Sequence, residues 1–159
     1  AWPDLKMLAE ANMDSARSHL LDILSNYQGI RKCHIIAVFD AYNVAGRREE
    51  ITAFHNIHVV FTREAQTADQ YIERFAHVNK DKYHITVATS DGLQQMIVRS
   101  AGSALLSARE LKVVIDEANA RLKEEVAARQ DLTRTRLRDT LSTEEKAHMD
   151  GVAKTTLEE

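Results

Sequence analysis

The stretch "NIHVVFTREAQTADQYIERF", residues 56–75, contains a strand, a loop and the start of a helix. Its first part, "NIHVVFT" (56–62), is apolar and rich in β-branched residues and reads as a buried strand. Thr67 with Gln70 three residues later is a capping box, and Ile72, Phe75 and Ala76 give the following helix its apolar face. A strand that runs directly into a capped helix is half of a βαβ unit, so the same alternation elsewhere decides the fold class. It recurs on both sides. "HIIAVFD" (34–40) and "HITVATS" (84–90) read as further strands, the second followed by a helix over about 91–100 with Leu93, Met96 and Ile97 inward. Gly102 stops that helix, "SALLS" (103–107) makes a brief strand, and Ser107 with Glu110 forms a second capping box. The helix it opens shows Leu111, Val114, Ile115, Ala118 and Leu122 on one face and continues past Val126. Upstream, Met13, Ala16, Leu20, Leu24 and Tyr27 predict one amphipathic helix over roughly 4–27, ended by Gly29, and Met7, Met13 and Met96 fit helix faces as packing residues. The expected fold class is α/β, a parallel sheet covered by helices on both faces.

Composition sets the outer limits. The chain has 159 residues, enough for one domain with its own core, and 44% hydrophobic with 28% charged residues is an ordinary globular balance. The single cysteine, Cys33, excludes a disulfide framework and a cysteine-based zinc site, and suits a reducing, cytoplasmic setting. No apolar run approaches the roughly 20 residues of a membrane span, so no membrane partner is expected. A net charge of −3 means that any nucleic-acid contact comes from a local basic patch. The expected organisation is a domain over 1–127 and a polar helical extension over 128–159, with a short helix from Ser142.

In open parallel sheets, ligands bind beyond the carboxyl ends of the strands. Three strands deliver acids there. The strand at 34–40 ends in Asp40, the strand at 56–62 leads through Thr62 and Glu64 to Asp69, and the strand at 84–90 ends in Thr89, Ser90 and Asp91. Converging carboxylates repel one another unless a cation compensates them, and an all-oxygen donor set suits Mg²⁺ or Mn²⁺. Such an ion polarises a phosphoryl oxygen and acidifies bound water, which phosphodiester hydrolysis requires. Each acid also has a plainer reading. Asp69 in a first helical turn stabilises the helix by ~0.3–1 kcal/mol through the dipole alone, Asp91 is a common helix entry, and Asp40 opens a turn. No G-x-S-x-G, P-loop or G-x-G-x-x-G is present, which argues against a serine hydrolase and against a nucleotide cofactor. Arg47, Arg48 and Arg63 lie on the same loops as the acids and are candidate phosphate contacts, and Tyr42 and Tyr71 are candidate base-stacking residues. Lys123, Arg129, Arg134, Arg136 and Arg138 extend such a surface or, with glutamates between them, form a solvated helix face.

The pieces "AWPDL" at the start, "VFDAYNVAG" (38–46), "VVFTREAQTAD" (59–69), "ATSD" (88–91) and "SARELKVVI" (107–115) resemble, in order and spacing, the YacP-like branch of the NYN domain family within the PIN-like nucleases. The similarity extends to about residue 126 and points in particular to bacterial ribosome-associated endoribonucleases that cleave messenger RNA in the ribosomal A site. It implies a three-layer α/β/α sandwich and an acidic pocket for a divalent metal. In that pocket Asp69, Asp40 and Asp91 are the matching acids, with Glu73, Ser90 and Thr67 bordering it. The family begins with a strand ending in "DGYN" whose aspartate belongs to the pocket. This chain opens at "AWP" without an initiator methionine, so that central strand, between the strand of Asp40 and the strand leading to Ser90, is expected to be missing from it. The resemblance implies a metal-dependent endoribonuclease acting on mRNA at the ribosome. The alternatives are a non-catalytic RNA- or ribosome-binding module and, more distantly, a phosphatase-like enzyme on a related sheet.

Overall fold

The computed structural model of the chain describes residues 2–40, 49–91 and 102–155, with side chains to residue 135. The helix expected over 91–100, with Leu93, Met96 and Ile97, and the candidates Tyr42, Arg47 and Arg48 lie outside the described residues, as do the side chains of Arg136 and Arg138.

The expected single helix over 4–27 is two helices. Pro3 occupies the start of α1 (Pro3–Ala11), where its missing N–H costs nothing. Asn12 is extended, at φ −157°, and its carboxamide oxygen accepts from Asp14 N at 2.9 Å and Ser15 N at 3.2 Å. Asn12 therefore ends α1 and caps α2 (Met13–Arg31). Gly29 is not the stop either. The helix runs through it to Arg31 and ends at Lys32, which adopts the left-handed conformation at φ 52° and donates its N–H to Gln28 O. Met7 and Met13 do not pack, being 71% and 54% exposed.

Three strands form the first sheet, in the order β1-β3-β2: β1 (Ile36–Phe39), β2 (Glu50–Phe54) and β3 (Ile57–Phe61). β1 and β3 are parallel, with Ala37 opposite Val59 and Phe39 opposite Phe61. β2 runs antiparallel to β3 through the two-residue turn His55–Asn56, where His55 takes φ 51°. The wholly parallel expectation is corrected here, because "EITAF" (50–54) joined to "IHVVF" (57–61) by two residues is a hairpin. β2 faces solvent along almost its whole length, which hides its apolar signal.

A second, parallel two-stranded sheet pairs β4 (Thr86–Ala88) with β5 (Ala104–Leu106). Between the sheets in sequence lies α3 (Ala68–Asn79), whose Tyr71 and Ala76 are buried. After β5 comes α4 (Ala108–Thr155), opened by the Ser107–Glu110 capping box, with Ser107 N donating to Glu110 Oε2 at 2.6 Å and Glu110 N to Ser107 Oγ at 3.2 Å. Instead of a polar stretch followed by a short helix from Ser142, α4 is continuous to Thr155.

Residues up to Asn119 form one compact unit, and a second begins at Ala120. Within the first, alternation puts Ala37, Phe39, Ile57, Val59 and Phe61 on one sheet face. There they pack with Leu21 and Leu24 of α2 and Ile115 of α4. Ile57 is 1% exposed, and such a side chain contributes roughly 1.5–3 kcal/mol when fully buried. Trp2 packs against the same core, and its Nε1 donates to Ala108 O at 2.6 Å, tying the entry of α1 to the entry of α4. Val38 and Val60 alternate to the other face, and α3 packs against β1. In the second unit, α4 is exposed from Ala120 to residue 135.

Candidate active site

The carboxyl ends of β1 and β3 are stitched together by Thr62, fully buried, whose N–H donates to Phe39 O at 3.0 Å. The chain then turns through residues 63–66, with Gln66 N donating to Arg63 O at 3.1 Å and Ala65 at φ 63°. That turn aims the start of α3 back at the strand ends. Thr67 Oγ1 accepts from Gln70 N at 3.2 Å while Gln70 Oε1 accepts from Thr67 N at 3.2 Å, so the capping box expected from sequence is formed. The next free helical N–H, that of Ala68, donates to Asp40 Oδ1 at 2.5 Å. Asp40 is thus more than a turn opener: its carboxylate holds the N-terminus of α3 against the end of β1, where the helix dipole favours negative charge.

Asp69 follows in the first turn of α3, beside that contact. Partial desolvation pushes its carboxyl pKa above the usual 3.8, and the negative charges of Asp91 and Asp40 push it further. Asp91 follows β4, its N–H donating to Thr89 Oγ1 at 3.1 Å. Two segments far apart in sequence therefore bring Asp40 and Asp91 within electrostatic reach of Asp69. Among the described residues, however, no three His, Cys, Asp or Glu side chains are gathered tightly enough to enclose one ion. The donor chemistry fits Mg²⁺ or Mn²⁺ held by one or two carboxylates and otherwise by water, rather than an all-protein cage.

The bordering residues separate. Thr67 is committed to the cap, while Glu73, Ser90 and Arg63 are exposed around the rim. Tyr71 is not available to stack on a base. It is 7% exposed, stacked on Phe75 at 6.4 Å, and lies under the Arg74 guanidinium at 5.5 Å, which in turn pairs with Glu49 at 3.2 Å. Burial, and then the Glu49 charge, raise its phenol pKa against the opposing pull of Arg74. One residue that sequence reasoning passed over is Gln66, whose Oε1 is buried without a hydrogen-bond partner just ahead of the acidic helix entry. A polar residue in a polar loop gives no sequence signal of that kind.

Fold and rim define an α/β domain whose candidate site is a carboxylate cluster where strands end and a helix begins. The YacP-like NYN domain model matches residues 1–154, and the chain belongs to that family. It is 36% identical over 127 residues to the Bacillus subtilis (strain 168) protein named "Uncharacterized protein YacP", covering 79% of this chain and 74% of that one. Two crystal structures of Rae1 (YacP) from Bacillus subtilis are similar in fold. The W164L mutant gives a TM-score of 0.68 at 34% identity over 80% of this chain and 74% of its own. The other gives 0.66 at 32% identity over 92% and 83%. No helix among the described residues is long and apolar enough to cross a membrane.

Proposed function

We propose that the chain is a divalent-metal-dependent endoribonuclease that hydrolyses RNA phosphodiester bonds, with messenger RNA on the translating ribosome as its substrate. The observation that carries this reading is that the helix entry bearing Asp69 is bonded to Asp40 at the end of β1, where the charges of Asp91 and Asp40 add to desolvation in raising the Asp69 carboxyl pKa. Membership of the YacP-like NYN family supports the nuclease class, and the ribosomal setting rests on the resemblance alone. Asp69, Asp40 and Asp91 would hold Mg²⁺ or Mn²⁺, directly or through water. When bound, such an ion supplies charge stabilisation at the phosphoryl oxygens and lowers the pKa of water.

The chain's own residues do the positioning. Asp40 fixes the α3 entry through Ala68 N, and the Thr67–Gln70 box stiffens that first turn. Asp69 is thereby presented at the lip with little rotational freedom left in its backbone. The PIN-like three-layer sandwich also belongs to this proposal, with the family's first strand and its aspartate lying between β1 and β4. The separation of those two strands into different sheets supports that arrangement.

The test is cleavage of a single-stranded RNA by wild type and Asp69→Asn, with Mg²⁺ and with chelator. Loss of at least about 10²-fold in the variant, and loss with chelator, is the expected result. Equal, metal-independent cleavage by both proteins removes the proposed site. The alternative reading is a non-catalytic RNA-binding module on the same fold. That reading expects RNA or ribosome binding unchanged in Asp69→Asn and no metal-dependent cutting by either protein.

A further inference from the structure

A rim of carboxylates repels a polyanion, so an RNA-cleaving site there needs a positioned cation at the same edge. α2 supplies one that the sequence did not single out. The Arg17 guanidinium carbon lies 5.7 Å from the centroid of the Phe39 ring, and its Nη1 donates to Asp14 Oδ1 at 2.9 Å. Phe39 is the last residue of β1 and stacks on Phe61, the last residue of β3, with centroids 5.7 Å apart. The guanidinium therefore stands over the carboxyl ends of the two parallel strands, beside the residue that precedes Asp40. Alternation sends Phe39 and Asp40 to opposite faces. Arg17 is consequently on the α2 side of the lip, and the Asp40 contact with α3 is on the other.

Three features separate this arginine from a solvated surface charge. Its side chain is 29% exposed, so it is reachable without being loose. Its guanidinium sits over an aromatic ring, which limits the entropy lost when the fork engages a ligand. A guanidinium carries five N–H donors, of which the Asp14 bond takes one. Asp14 is itself 88% exposed, so that pair is worth only ~0.2–1 kcal/mol and gives way to a phosphate.

We propose that Arg17 binds a backbone phosphate of single-stranded RNA next to the phosphodiester held at the acidic lip, so that the strand crosses the carboxyl ends of β1 and β3. This deepens the ribonuclease reading and rests on it. A lysine would supply the charge without the planar, two-pronged contact.

Equilibrium binding of a single-stranded RNA oligonucleotide to full-length Asp69→Asn protein, which stops cleavage, is measured across salt concentrations, alone and with Arg17→Gln, Arg17→Lys or Asp14→Asn added. Arg17→Gln is expected to lower the slope of log affinity against log salt by about 0.7 and the affinity near 0.1 M salt by about fivefold. Arg17→Lys keeps the slope and loses part of the affinity. Asp14→Asn, which frees the guanidinium and removes an adjacent negative charge, raises affinity and leaves Arg17 in place even if Arg17→Gln fails to fold. A slope unchanged in folded Arg17→Gln, or an affinity unchanged in Asp14→Asn, overturns the assignment to Arg17 while the ribonuclease reading stands. No RNA binding by the Asp69→Asn protein itself overturns both.

Discussion

Replacing Asp69 with Asn is expected to stabilise the metal-free protein at neutral pH while abolishing its response to Mg²⁺. In the first turn of α3, a negative charge gains ~0.3–1 kcal/mol from the helix dipole. Against that stand desolvation and the repulsion of Asp91 and Asp40, where a like-charge pair at 4 Å in water costs about 1 kcal/mol. The carboxyl pKa is displaced upward, so the unfavourable contributions outweigh the dipole. The net cost of the charge is on the order of a few tenths to 1 kcal/mol, given how much solvent screens this rim. For a chain of this size that corresponds to a rise in Tm of roughly 1–3 °C in the Asn variant.

The pH dependence carries its own sign. A group whose pKa is higher folded than unfolded contributes stability that is complete below the unfolded value, here 3.8, and lost as pH rises through the folded value. Wild type and variant should therefore coincide in acid and diverge as pH climbs above 3.8, with the variant the more stable. Metal reverses the order. Mg²⁺ at ten times its Kd stabilises the folded wild type by about 1.4 kcal/mol, or roughly 3–6 °C, and the variant by much less. Thermal unfolding at neutral and acid pH, with chelator and with Mg²⁺, reads all of this. A variant less stable than wild type in chelator, or an equal Mg²⁺ shift in both proteins, refutes the reasoning.

Asp40 separates its two roles by the choice of substitution. Asp40→Ala removes the acceptor for Ala68 N and should cost ~1–2 kcal/mol in urea unfolding, whereas Asp40→Asn keeps an acceptor and loses much less, yet both should lose RNA cleavage. Glu110→Gln retains the capping box of α4 but not its charge. The Ser107 backbone and side-chain hydrogen bonds lower the Glu110 pKa below 4.5, so the stability it contributes is present above that pH and lost as pH falls through the folded value. The variant should therefore show a flatter acid limb in a Tm-against-pH profile. Gln66→Met replaces a buried, unpartnered carbonyl oxygen with an apolar side chain of similar length, and a gain of about 1 kcal/mol in urea unfolding is expected.

What the sequence made legible follows from how local each cause is. Both capping boxes, Thr67–Gln70 and Ser107–Glu110, formed as read, because a cap is settled by residues three apart. The strands at 36–39, 57–61, 86–88 and 104–106 were also visible, since each is a short apolar run between polar flanks. β2 was not. Its side chains are exposed on both faces, so its pairing with β3 is decided by the backbone ladder and the His55–Asn56 turn rather than by burial. Asn12 interrupts a helical pattern that periodicity alone would carry through, because one carboxamide satisfying two N–H groups outweighs continuity. The site divides in the same way. That acids follow β1, β3 and β4 could be read directly from strand order. That one of them is bonded to the helix bearing the next could not, because Asp40 and Ala68 meet only once β1 and β3 are paired in register.

That bond changes what the acidic rim means. If each carboxylate stood alone at a strand end, all could be spared, and their proximity would be incidental. Asp40 instead uses one oxygen to hold α3 in place, and the helix so placed carries Asp69 into the field of Asp40 and Asp91. The fold thus spends a favourable helix-terminus contact on bringing a second negative charge where it is unfavourable. A protein selected only for stability would put a neutral residue at position 69, keep the Asp40–Ala68 bond and lose nothing. The proposed cation is the partner that would compensate that charge, and this is why the paired behaviour of Asp69→Asn, more stable without metal and unresponsive with it, discriminates between a site and a coincidence.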